Sequence, residues 1–119
     1  MILNHINLTV SDVVTTRRFL EKYFGMASHD PEKENPGFDL LRDDQGMILT
    51  LIRGRRDVPI AYPETFHIGF AQPSEAFVDE INKRLREDGY DVPSPSRQHG
   101  SWTFYFTCPG AEFTIEVLG

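Results

Sequence analysis

Two histidines occupy matching places in two similar stretches of this chain. His5 lies in Leu3-Asn4-His5-Ile6-Asn7-Leu8-Thr9-Val10, and His67 lies in Thr65-Phe66-His67-Ile68-Gly69-Phe70-Ala71, 62 positions later. Asp12 and Ser74, the helix-start residues that follow, are separated by the same 62 positions. A constant offset predicts a duplicated strand–helix module with an imidazole on the first strand of each copy. Glu116, in the closing apolar strand, is the third group of interest. Two imidazoles and one carboxylate suit a single divalent ion such as Zn, Fe, Ni, Co or Mn, and three protein ligands leave positions for water or substrate.

The elements that must position these groups follow from periodicity. Residues 3–9 alternate, with Ile6, Leu8 and Val10 on one face and His5, Asn7 and Thr9 on the other. Asp12 is the N-cap of a helix whose apolar face is Phe19, Leu20, Tyr23 and Phe24, and Gly25 is its stop. Residues 28–37 read as a loop, and residues 38–42 and 46–52 as a hairpin around Asp43-Asp44-Gln45-Gly46. The second hairpin strand is apolar on both faces, which predicts cover on both. After a proline-broken linker over residues 53–64, a second strand leads to a helix with Ser74 as N-cap, Phe77, Ile81 and Leu85 on its apolar stripe, and Gly89 at its end. Residues 92–96 start an edge segment, and residues 103–107 and 113–118 form a last hairpin at Pro109-Gly110. The order is strand, helix, three strands, twice over, with the fourth strand of the first half weakly marked. This is an α+β chain of two βαβββ modules, residues 1–56 and 64–119, forming a single domain. In the second module, parity places His67 with Thr65 and Gly69, Glu116 with Thr114, and Tyr105 with Thr103 and Thr107, all on faces opposite the helix-facing sets. If the sheets curl, those faces line one concavity. Parity alone is met more readily by a wet sheet face on which the histidines and Glu116 never meet.

At this point the chain resembles the vicinal oxygen chelate superfamily, which includes glyoxalase I, fosfomycin-resistance thiol transferases, extradiol dioxygenases, methylmalonyl-CoA epimerase and metal-free bleomycin-binding proteins. The opening residues 3–12, the FLEKYFGM stretch from Phe19 to Met26, and the closing Phe104-Tyr105-Phe106-Thr107-Cys108-Pro109-Gly110 with Ile115-Glu116-Val117 carry the resemblance. It implies curled mixed sheets around a metal cavity, with ligands at His5, His67 and Glu116. The position of a fourth ligand, a glutamate in glyoxalase I, matches Thr50, so typical glyoxalase I activity is not expected. A three-ligand set of His, His and Glu is similar to that of fosfomycin transferases. Cys108-Pro109-Gly110-Ala111 departs from the usual closing turn, a change expected to alter a turn and not the chemistry. The resemblance implies a metal-dependent enzyme acting on a small oxygen-bearing substrate. The alternative is a metal-free drug- or metabolite-binding protein. Related small proteins often form homodimers that pair module 1 of one subunit with module 2 of the other; a site closed within one chain is the other arrangement.

Tyr105 and Asn7 are candidate catalytic residues. Tyr105 would hydrogen-bond substrate or shuttle a proton, and Asn7 would orient substrate or water. His99, in Gln98-His99-Gly100, reads more readily as a surface histidine than as a base. His29 and Cys108 look incidental, and Trp102 is expected to pack on a helix or an interface. The net charge of −6, from 12 basic and 18 acidic residues, argues against a nucleic-acid surface, and Arg53, Arg55 and Arg56 read as a solvated strand end. One cysteine fits a reducing compartment, no apolar run spans a membrane, and no signal-peptide pattern opens the chain; the expectation is a cytoplasmic protein.

Overall fold

The computed structural model describes residues 1–119. The elements run β1 (His5–Val10), α1 (Val13–Phe24), β2 (Ala27–Ser28), β3 (Phe38–Arg42), β4 (Ile48–Arg53), β5 (His67–Ala71), α2 (Glu75–Glu87), β6 (Ser96–Gln98), β7 (Ser101–Thr107) and β8 (Thr114–Leu118). Each helix accompanies an open four-stranded mixed sheet, in the order β1-β4-β3-β2 and β5-β8-β7-β6. In each sheet the first strand pairs in parallel with the last, and the other pairings are antiparallel. The α+β, twice-repeated βαβββ order is therefore the observed one. The chain divides into two compact units: Met1–Tyr62 with Cys108–Glu112, and Pro63–Thr107 with Phe113–Gly119.

In the first unit, Asp12 caps α1 by accepting from the Thr15 amide at 3.0 Å and the Thr15 hydroxyl at 2.8 Å. Gly25 ends the helix at φ 66°, a left-handed conformation that glycine adopts without a Cβ penalty. The turn from Cys108 to Glu112 belongs to this unit because it docks on the start of α1. The Asp12 amide donates to Gly110 O at 2.9 Å, and Thr16 Oγ1 donates to Pro109 O at 3.1 Å. A Cβ at Gly110 would lie 2.8 Å from Asp12 O, so the close approach requires glycine. The core beneath α1 holds Leu8, Val10, Leu20, Leu41 and Leu51, all essentially buried.

Two details differ from expectation here. The loop over residues 28–37 begins with a two-residue strand, since Ala27 and Ser28 pair with Arg42 and Leu41. And β4 is covered on one face only: Leu49 and Leu51 are buried, whereas Ile52 is 40% exposed and Ile48 and Thr50 are half-buried. The helix can cover one side of the sheet; the other side carries His5, Asn7 and Thr9 beside Ile48, Thr50 and Ile52.

In the second unit, α2 buries Val78, Ile81, Asn82 and Leu85. Phe77, expected on that stripe, is 54% exposed. The stripe is phased by spacings of three and four from Val78, one residue past Phe77, so Phe77 projects to solvent. Ser74 has the extended N-cap conformation but makes no side-chain capping bond. Trp102 packs toward α2, where its indole N–H donates to Asp79 Oδ1 at 2.7 Å. No helix is long and apolar enough to cross a membrane.

Candidate functional site

The second unit gathers polar groups around Glu116. The register sets Glu116 of β8 between Gly69 of β5 and Tyr105 of β7. Parity then puts Glu116, Tyr105, Thr103 and His67 on the face opposite α2. A Cβ on Gly69 would stand 3.9 Å from Glu116 Oε1, an ordinary contact distance, so this position lies directly beside the carboxylate. Glu116 is only 5% exposed.

His67 meets this carboxylate, with Nε2 3.4 Å from Glu116 Oε1. Its other ring nitrogen, Nδ1, is 2.9 Å from the Thr65 carbonyl oxygen. A carbonyl only accepts, so Nδ1 carries the proton, and in the neutral ring Nε2 presents a lone pair. A lone pair facing a carboxylate oxygen needs a positive species between them, a proton or a metal cation. Two donors each about 2.1 Å from a tetrahedral cation stand about 3.4 Å apart, which is the separation observed. His67 and Glu116 thus fit a divalent ion in donor type, tautomer and spacing.

The second carboxylate oxygen is engaged elsewhere. Thr103 Oγ1 donates to Glu116 Oε2 at 2.8 Å, and His99 Nε2 stands 3.1 Å from the same oxygen. His99 Nε2 is also 2.8 Å from the Tyr105 hydroxyl. The Tyr105 ring lies edge-on to His67, centroids 5.5 Å apart. Burial pushes the Glu116 carboxyl up. Hydrogen bonds from Thr103 and Tyr105 and the proximity of His99 and His67 outweigh that, leaving it below the ordinary value. Tyr105 moves upward, first through burial and then through its hydrogen bond to Glu116 and that group's charge. His99 therefore belongs to this cluster, although the sequence pointed toward a surface role. The signal that could have located it is the His-Gly pair itself: a two-residue turn between Gln98 and Ser101 aims the first turn residue back over the strand.

In the first unit, His5 is exposed and its Nδ1 lies 2.7 Å from Asn4 Oδ1. With the Asn4 oxygen as acceptor, His5 also presents Nε2 as a lone pair. Asn7 and Thr50 pair across β1 and β4, and Thr50 Oγ1 donates to Asn7 Oδ1 at 2.6 Å. An open cleft of about 550 Å³ is lined on this unit by Asn7, Thr9, Ile52, Arg53, Ile60 and Tyr62. Tyr62, which the sequence left in a linker, accepts from the Thr9 amide at 3.0 Å and donates to Thr9 O at 2.8 Å, closing the strand edge. His29 is half-exposed beside Asp39, and Cys108 is buried. No three His, Cys, Asp or Glu side chains of the chain are grouped to hold one cation.

Residues 2–116 match the sequence profile of the Glyoxalase/Bleomycin resistance protein/Dioxygenase superfamily. The glutathione transferase FosA of Serratia marcescens is 28% identical over 107 residues, covering 90% of this chain and 73% of that protein. A solved structure of a possible glyoxalase from Bacillus cereus is 49% identical, covers 100% of this chain and 99% of its own, and superposes with a TM-score of 0.87. The lactoylglutathione lyase of Agrobacterium tumefaciens, 20% identical over 98% of this chain and 92% of that one, shares the fold with a TM-score of 0.73. With its two βαβββ repeats and a profile match over nearly its whole length, the chain belongs to the glyoxalase/bleomycin resistance protein/dioxygenase superfamily.

Proposed function

We propose that this chain is a small enzyme that binds one divalent cation through His5, His67 and Glu116 and acts on a small oxygen-bearing substrate. The observation that carries the reading is the fixed tautomer of His67. Its Nδ1 proton is committed to Thr65 O, and its Nε2 lone pair faces Glu116 Oε1 at 3.4 Å. His5, at the equivalent place in the first module, has its Nδ1 committed in the same way. The cation would supply Lewis acidity, stabilising oxyanion or enolate charge that develops on substrate. Tyr105, beside His67 and Glu116, would hydrogen-bond substrate or pass a proton through its hydroxyl, and Asn7 would orient substrate from the first module. Reactions open to such a site are isomerisation, lyase-type proton transfer, thiol addition to an epoxide and oxygen insertion. FosA is named as a glutathione transferase, and thiol addition is the member of this set closest to that name.

The protein acts as a homodimer with its sites shared between subunits, His5 from one chain and His67 with Glu116 from its partner. Exposed apolar residues on the first unit, including Ile2, Leu3, Ile52 and Val58, support association with a second copy. Metal analysis of protein purified without added metal tests the ligand set. About one ion per site is expected in the wild type and loss of it in His67→Ala; stoichiometric binding that survives loss of both histidines overturns the assignment. Wild-type protein that never takes up metal favours a metal-free binding protein. Mixing His5→Ala and His67→Ala subunits tests the sharing: a mixed dimer rebuilds one intact site, whereas sites within single chains stay damaged.

A further inference from the structure

Strand β4 runs out into a basic turn. Arg53, Arg55 and Arg56 are three of the 12 basic residues of a chain whose net charge is −6. They begin a strap, residues 54–62, that lies along the edge of β1 and is pinned at both ends. The Gly54 amide donates to Val10 O at 2.9 Å. At the far end the Tyr62 hydroxyl accepts from the Thr9 amide and donates to Thr9 O. Between them the Val58 amide donates to Arg55 O at 3.2 Å. Ile60 packs so closely on Gly54 that a Cβ there would lie 2.6 Å from Ile60 Cδ1. The cleft of about 550 Å³ under this strap is therefore walled by fixed backbone.

Its lining is of two kinds. Ile52, Val58 and Ile60 supply apolar wall, and Ile52 and Val58 are 40% and 49% exposed. Arg53 and Arg55, both exposed, also line it, and no acidic residue does. Arg55 pairs only loosely with Asp57, at 3.9 Å with the two side chains 80% and 77% exposed, so little of its charge is neutralised. A cleft of this size suits a small molecule. The apolar wall favours a hydrocarbon body, and guanidinium forks favour an oxyanion. A local positive field on an acidic protein selects anions over neutral or cationic molecules.

We propose that this cleft binds an amphipathic anion: a short apolar body ending in a carboxylate or a phosphate monoester, held by Arg53 and Arg55 against Ile52, Val58 and Ile60. Asn7 lines the same cleft and lies two positions from His5 on one face of β1. The bound anion is thus the tail of the substrate, with its reacting end toward His5. That role rests on the function proposed above; the binding itself does not.

The test uses the full-length, 15N-labelled protein treated with chelator, so that binding is read without metal. The probes are hexanoate, hexyl phosphate and the neutral hexanol, and the readout is the amide shifts of Gly54, Val58 and Ile60. Hexanoate or hexyl phosphate should bind about tenfold more tightly than hexanol, the scale of one hydrogen bond to a charged group, and the tighter of the two names the anion. Added salt should weaken the anions and not hexanol. Arg53→Gln and Arg55→Gln should each bring the anions toward hexanol. Arg56→Gln removes the same charge from the same turn but not from this cleft, and should change little. Equal affinity for anions and hexanol, or an equal loss in all three arginine variants, overturns the proposal. Val58→Ser should weaken all three probes. If it changes only the sedimentation of the protein, Val58 belongs to a contact with a second copy and the apolar wall is refuted. Anion binding that persists in a protein shown to take up no metal retains the cleft and refutes only its role as a substrate subsite.

Discussion

Replacing Arg17 with methionine should be among the most damaging single changes in the first unit. Arg17 lies on α1 but is only 4% exposed, and Asp39 on β3 is 3% exposed. The guanidinium donates to Asp39 Oδ2 at 3.0 Å, to Pro31 O at 3.2 Å and to the Lys33 carbonyl, and its Nε is 3.4 Å from Glu21. The other Asp39 oxygen accepts from Ser28 Oγ at 2.7 Å and from the Leu40 amide at 2.8 Å. Arg17 thus ties the helix to β3 and to the loop before it, and Asp39 carries the link on to Ser28 of the short β2. Methionine keeps much of the apolar stem, so the loss is chiefly of charge and hydrogen bonds. A buried carboxylate left without its cation costs about 3–5 kcal/mol, a large share of the roughly 5–15 kcal/mol of a typical domain. For a chain of this size that corresponds to a fall in Tm of roughly 10–20 °C. Urea denaturation followed by near-ultraviolet circular dichroism measures the loss. Arg17→Met/Asp39→Leu should recover most of it, because no uncompensated charge then stays buried. A single Arg17→Met that costs less than about 1 kcal/mol, the range of an exposed pair, refutes the argument that this pair is sealed from water.

Three other changes follow from the geometry. The wild type should be a poor catalyst of the methylglyoxal–glutathione reaction, since Thr50 stands where a carboxylate would be required. Thr50→Glu should alter metal preference or affinity, more so with Asn7→Gly to clear its neighbour, as metal titration would show; efficient, chelator-sensitive wild-type turnover would contradict this. Asp12→Ala should cost about 1 kcal/mol in urea denaturation through loss of the α1 cap. The Asp12 carboxyl sits below its ordinary value, chiefly through the Thr15 amide bond. Its stabilisation is therefore present above the unfolded pKa and lost as pH falls through the lower folded value, a slope that Asp12→Ala should lack. Cys108 is buried and its thiol is pushed up to about 12, first by burial and then by Glu112. A disulfide reagent at pH 8 should label it far more slowly in native than in unfolded protein; equal rates would show an open site.

Local signals in the chain were most legible where a single residue type does a single job. Asp12 and Gly25 bracket α1 because a side-chain acceptor starts a helix and an unhindered left-handed residue ends it. Strand alternation placed His5 and Asn7 on one face of β1, where they are exposed, with Leu8 and Val10 buried on the other. Signals failed where packing chose between near-equal options. Phe77 and Val78 both continue a helical stripe into Ile81 and Leu85, and the packing of α2 selected Val78. Ala27–Ser28 is too short to show a period and exists through its pairing with Leu41 and Arg42. Arg17 carries no local signal of burial, because its partner, Asp39, lies 22 positions away. His99 looked like a surface histidine, and its ring is half-exposed; what distinguishes it is one nitrogen's reach to Glu116 and Tyr105, which depends on turn geometry.

The duplication also explains why the two modules contribute unequally. The registers make Asn7 equivalent to Gly69, and Thr50 equivalent to Glu116, because His5 pairs with Ile48 and His67 with Thr114. In the second module the residue opposite the carboxylate is glycine, and the space it leaves lies beside Glu116 Oε1. In the first module the same two positions hold an amide and a hydroxyl that satisfy each other at 2.6 Å. One module thus carries a carboxylate at its last-strand position, opposite a glycine. The other has closed that position into a neutral pair. A cation bound by this chain would gain one carboxylate charge rather than two, which favours stronger Lewis acidity and leaves a coordination position to substrate. The unequal modules therefore account for the expected departure from a four-ligand glyoxalase.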